Sequence, residues 1–215
     1  MSRALGTLAL VGLAMGLVLG FLVAPRELTQ GNVQRIMYVH VPAILVAYLA
    51  FGVVLIASIV YLVRRVDTAD RIAHASAEVG LLYTGINIAT GAIWGKPTWG
   101  TWWTWDARLT SVSIMFLMYL GYLLLREMVE DRERSARFAA VVGIIAALNM
   151  PLVHFSVYWW RTLHQPPSIL RPGASALPRV FWMVVLVNVV AFALLYAYFV
   201  MKRTRVLASE AEALA

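Results

Sequence analysis

Apolar residues along this chain come in runs of about 20, separated by short polar clusters, a spacing set by membrane thickness rather than by a single buried helix face. Six runs can be drawn, at 5–24, 39–63, 72–93, 107–125, 138–157 and 180–201. At about 1.5 Å of rise per residue, each is long enough to cross a hydrocarbon core of roughly 30 Å. The pattern predicts an all-α integral membrane protein, a six-transmembrane-helix bundle forming one domain over 1–215. The first run is too long for the apolar core of a secretory signal. Pro25 follows it with no small-residue cleavage pattern, so it is expected to be a retained helix.

Charge adds an orientation. Arg3, then Arg64, Arg65 and Arg71, then Arg126, Arg132, Arg134 and Arg137, and finally Lys202, Arg203 and Arg205 place eleven cations on one set of connections and ends. The other connections hold seven: Arg26, Arg35, Lys96, Arg108, Arg161, Arg171 and Arg179. The positive-inside rule therefore predicts that the N and C termini are cytoplasmic and that 94–108 is an external segment. The net charge of +7 is scattered over short connections, which fits contact with membrane lipid and predicts no nucleic acid partner. With no cysteine, the chain makes no disulfide or thiolate site of its own.

Within that external segment stand Trp94, Trp99, Trp102, Trp103 and Trp105, five of the eight tryptophans, followed by Asp106 and Arg108. Indoles collect at membrane interfaces for their own reasons, and Trp159, Trp160 and Trp182 are read that way. Five within twelve positions, with Gly95 and Gly100 between them, form a flat aromatic surface suited to a flat aromatic ligand.

The four histidines divide by position. His40, in Tyr38-Val-His40-Val-Pro42, is expected in the first turn of the second span. His164 lies just before Pro166 and Pro167 in the connection between the fifth and sixth spans. Both share the predicted outer face with the tryptophans. His154 follows Asn149-Met-Pro151 in the fifth span, where a proline kink leaves carbonyls in need of donors, so its expected role is structural. His74 falls on the cytoplasmic side. Two imidazoles beside a wall of indoles describe a site for a metalloporphyrin, with His40 and His164 as axial ligands of haem iron. Arg108, Lys96, Arg161 and Arg35 are the cations available for its two propionates. Asp106 is expected to cap the helix beginning near Ala107, or to pair with Arg108.

The stretch from Trp94 to Ser111 resembles the tryptophan-rich WWD signature of haem-handling proteins of cytochrome c biogenesis. With the motifs around His40 and His164, it resembles the haem exporter protein C family over essentially the whole chain. That resemblance implies a haem b site made by the five tryptophans, Asp106, Arg108 and the two outer histidines, at the outer face of the cytoplasmic (inner) membrane. It implies presentation of haem to a periplasmic haem chaperone. It also implies a small single-span accessory subunit and an ABC-transporter module as partners, and no enzymatic activity.

Two other functions compete. A transmembrane haem transporter would need polar groups lining the bundle, and Glu78, Asn87, Asn149 and Asn188 are the main ones available. Glu78 is expected to reach a nearby arginine instead. An electron-transfer cytochrome b would need histidines at mid-span, and the chain places none there. Gly91-Ala-Ile-Trp-Gly-Lys96-Pro97 lacks the spacing of a phosphate-binding loop, so any ATP is spent by another chain.

Overall fold

The computed structural model describes residues 2–167, 169, 171, 173 and 177–213. Its regular elements are helical: α1 Ser2–Val18, a π-turn Leu19–Val23, a 3-10 turn Val33–Ile36, α2 Met37–Arg64, α3 Asp67–Trp99, α4 Ala107–Met128, α5 Arg132–Ala147, α6 Asn149–Trp159 and α7 Arg179–Ala213. Backbone polar groups have no water to bond in lipid, so each spanning segment satisfies its own amides and carbonyls internally.

By length and apolar composition, five stretches can cross a membrane: Arg3–Val23, Val33–Arg64, Ala107–Met128, Arg132–Trp159 and Arg179–Ala213. The third expected span lies in α3, which has 33 residues but a more polar sequence. Its buried polar residues, Ser76, Thr84 and Asn87, face neighbouring helices rather than lipid. Ser76 Oγ, for instance, donates to Ala50 O at 2.9 Å.

Helix α2 is the hub, packed against α3, α5 and α7, while α1 lies along α7 and α4 leans on α3, α5 and α6. Small residues let α2 and α3 approach closely. Ala43, Ala47 and Ala50 of α2 and Ala73 and Ala77 of α3 are buried in one core, and a methyl on Gly80 would meet Phe51 at 2.6 Å and Ala50 at 3.0 Å. Phe51 in turn stacks on Tyr119, with ring centroids 3.6 Å apart. Together with Met115 and Tyr122 these rings fill the centre of the bundle.

Three expected boundaries move. α3 continues through Trp94, Lys96 and Pro97 to Trp99, so the first part of the 94–108 segment is helix rather than loop. A proline this close to a C-terminus costs one hydrogen bond, and the stop comes at Gly100, whose φ of +78° suits glycine and whose N–H donates to Lys96 O at 3.0 Å. The expected 138–157 span is two helices that break at Leu148, and Asn149 fastens the break by donating to Ser111 O at 2.8 Å. α7 runs on to Ala213, well past the expected end of the sixth span. Pro42, expected beside His40 in the first turn of α2, falls in the second.

Candidate functional site

One end of the bundle gathers the first turns of α2, the turns of α3 from Asn87 to Trp99, the 100–106 link, the start of α4 and the chain after α6. Two adjoining cavities open there, of about 640 and 650 Å³ counting their mouths, and they share His40, Trp94, Arg108, His164 and Gln165 as walls. Asn87, Gly91, Trp94, Gly95 and Thr98 line the first cavity along a single face of α3, at helical spacing.

His40 and His164 are each paired with a tryptophan. The His40 ring meets the edge of Trp94 at 5.7 Å between centroids, and His164 lies 6.1 Å from Trp99. Trp94 is held in turn by its Nε1–H, which donates to Gln30 Oε1 at 2.9 Å. On His164, Nδ1 lies 2.7 Å from Gln165 O. A carbonyl can only accept, so the proton is on Nδ1 and the Nε2 lone pair is left for another partner. Burial, with the Arg108 charge second, pushes the His164 imidazole down to about 4, so the neutral ring prevails near neutral pH.

Asp106 holds two pieces of the site at once. Its Oδ1 accepts from Leu109 N at 2.9 Å, the expected cap of α4, and its Oδ2 accepts from Leu163 N at 3.0 Å. The second bond fixes the segment that carries His164. Of the two roles expected for Asp106, capping is the one observed.

The cations separate in the same way. Arg108 is buried and lines both cavities. Its Nη1 donates to Val153 O at 2.7 Å and His154 O at 3.3 Å, and among the described residues it forms no ion pair. Lys96 instead reaches Gly100 O at 3.0 Å, neutralising the end of α3. Arg35 donates to Phe21 O and to Ala24 O. Arg161 lies outside both cavity walls.

Of the five clustered tryptophans, Trp94, Trp99 and Trp103 line the first cavity. Trp102 and Trp105 stand outside both walls, 57% and 77% exposed. Trp105 still contacts Trp103 edge-on, at 5.5 Å between centroids. His74 is far from this end and pairs with Glu78 at 3.3 Å, while Glu78 also meets Arg203 at 2.7 Å, the arginine contact expected of it. The ring of His154 packs against Tyr48 and Phe155, and with Tyr48 it lines the second cavity.

Sequence reasoning missed Tyr48 and under-used Asn87. Tyr48 is one tyrosine among many in an apolar run, and only its position one helical repeat beyond Val41 and Ile44 could have flagged it.

The donor set suits a flat, apolar dianion with a central metal. Aromatic faces, three histidine rings and one unneutralised cation surround the space. Buried Trp103 Nε1–H and Tyr48 O–H, on cavity-lining residues, have no hydrogen-bond partner among the described residues.

The sequence profile of the family described as heme exporter protein C matches residues 1–215. A heme exporter protein C of Bradyrhizobium diazoefficiens is 43% identical over 86% of this chain and 70% of its own length. One from Haemophilus influenzae is 39% identical over 92% of this chain and 80% of its own length. The Escherichia coli K12 protein of the same description is 36% identical over 80% of this chain and 70% of its own length.

Proposed function

The chain belongs to the heme exporter protein C family, and from that premise we propose that it holds haem b at the outer face of the cytoplasmic membrane and presents it to a periplasmic haem chaperone during cytochrome c maturation. The bundle spans six times, with α3 as the sixth crossing and both termini in the cytoplasm. An ABC-transporter module and a small single-span subunit work beside it.

The observation that carries this reading is the convergence of His40 and His164, 124 positions apart in sequence, on the same walls with Trp94 and Arg108. His40 and His164 take the two axial positions of the iron through their Nε2 atoms. Bound there, iron carries no open position, which discourages oxygen chemistry during transfer. Trp94, Trp99 and Trp103 supply aromatic faces to the ring, and Arg108 offers charge-assisted hydrogen bonds to a propionate. Asp106 keeps the His164 segment in register with the wall.

What favours presentation over passage through the bundle is the packing beneath the cavity. Phe51, Met115, Tyr119 and Tyr122 are fully buried there, and a porphyrin moving through this chain would have to displace them.

The test is an absorption and electron-resonance titration of the detergent-purified chain with haemin. His40→Ala and His164→Ala should each remove the six-coordinate low-spin signature and reduce chaperone loading, while His74→Ala should match wild type. Unchanged spectra in both outer-histidine variants would sink the axial assignment.

A further inference from the structure

His40 is held by a patch of α3 whose chemistry goes beyond packing. Thr90 Oγ1 lies 2.7 Å from Ile86 O and 3.2 Å from Asn87 O, so its single proton is directed at a helix carbonyl. The same oxygen is 3.1 Å from His40 Nδ1. With its proton directed at a helix carbonyl, Thr90 is left to accept there, which favours the tautomer that carries the imidazole hydrogen on Nδ1.

Asn87 holds the ring in a second way. Its amide nitrogen donates to His40 O at 3.1 Å and lies almost equally far from the two ring nitrogens, 3.3 Å from Nδ1 and 3.2 Å from Nε2. An atom so placed in the ring plane would overlap Cε1, so the amide nitrogen sits over the ring face. The in-plane lone pair of Nε2 is therefore not consumed by Asn87. Gly91 completes the seat, because a methyl group there would stand 2.9 Å from His40 Cε1. Asn87 with Gly91 and Thr90 with Trp94 are four residues apart, and Asn87 with Thr90 and Gly91 with Trp94 three, so one helix face supplies these contacts.

We propose that Asn87, Thr90 and Gly91 are positioning residues that fix the ring orientation of His40 and its Nδ1–H tautomer, so that Nε2 is presented to the cavity as a pre-formed iron ligand. This rests on the reading of His40 as an axial ligand. It goes beyond that reading by assigning the residues that make His40 competent. His164 reaches the same tautomer by a different route, through the Gln165 carbonyl, so both rings offer the same nitrogen.

Two measurements test it, one of which needs no haem. In liposomes, the nitrogen-15 shifts of histidine-labelled chain, with His40 assigned by its loss in His40→Ala, should show Nδ1–H in wild type and Thr90→Ser and a shift toward Nε2–H in Thr90→Val. In a haemin titration, Thr90→Val and Gly91→Ala should each weaken binding by roughly 10–100-fold and raise the high-spin fraction. Thr90→Ser should restore both properties.

A wild-type His40 carrying its proton on Nε2, or Thr90→Val and Gly91→Ala both within about twofold of wild type, would overturn the proposal. If His40→Ala leaves the haemin spectrum unchanged, the ligand reading fails, and the nitrogen shifts still decide the tautomer. Should Gly91→Ala fail to accumulate, the Thr90 pair decides the result.

Discussion

At the end of the bundle formed by 64–67, 126–137 and 203–210, carboxylates meet cations: Asp70 with Arg126, Asp67 with Arg132, Glu133 with Arg137, and Glu78 with His74 and Arg203. At the opposite end the two carboxylates, Glu27 and Asp106, accept instead from backbone N–H groups, of Thr29 and Gln30 and of Leu109 and Leu163. The first arrangement fastens helices together. The second shapes loops and leaves Arg108 with carbonyls alone, so its charge is supported but not cancelled. A buried cation without a counter-charge is costly to a fold that makes no use of it. On the proposed reading, the contrast separates an end built for assembly from an end built to receive an anion.

The comparison can be broken most sharply at the buried arginines. Arg126→Met would strand Asp70 and should cost about 3–5 kcal/mol of stability, read as a lower thermal midpoint in detergent, with haemin affinity of the folded fraction unchanged. A loss of haemin binding equal to the loss of fold would mean that the two ends do not divide their labour. Arg108→Met should behave in the opposite way, losing about 1.5–3 kcal/mol of haemin binding with a smaller change in midpoint. Wild type titrated with the dimethyl ester of haemin should then resemble that variant, because the ester removes the anionic partner.

Smaller effects sharpen the picture. Asp106→Ala removes a cap worth about 1 kcal/mol and frees Leu163 N. Haemin should dissociate several-fold faster, with Asp106→Asn intermediate because one carbonyl oxygen remains. Trp102→Ala and Trp105→Ala should change binding by no more than about 0.5 kcal/mol, whereas Trp99→Ala should change it more, as measured in the same titration. Equal effects for Trp99 and Trp105 would erase the distinction between wall and rim.

Much of this was legible in the chain itself. Long apolar runs, two histidines flanked by proline, and the tryptophan cluster each carry a local signal, and they led to His40, His164 and the cavity-lining indoles. What could not be read depended on where side chains turn. A tryptophan run gives no sign that Trp94, Trp99 and Trp103 face inward while Trp102 and Trp105 face out, because the link after Gly100 is irregular and has no period. Lys96 and Arg108 look equivalent as letters, yet one lies at the carbonyl end of a helix and the other begins a new helix against α6. Thr90 is unremarkable in sequence, and its role appears only when α2 lies beside α3.

α3 also has a mechanical character. It is one uninterrupted helix of 33 residues, about 50 Å long at 1.5 Å per residue. Asp70 and Glu78 tie its first half to Arg126 and Arg203, and its last turns carry Asn87, Thr90, Gly91 and the Trp94–Trp99 wall. Both ends belong to one helix, so a roll or tilt imposed at the salt-bridged end would be carried toward the histidine seat. If α3 makes the proposed sixth crossing, a force applied on one side of the membrane would have a lever by which to loosen a ligand held on the other.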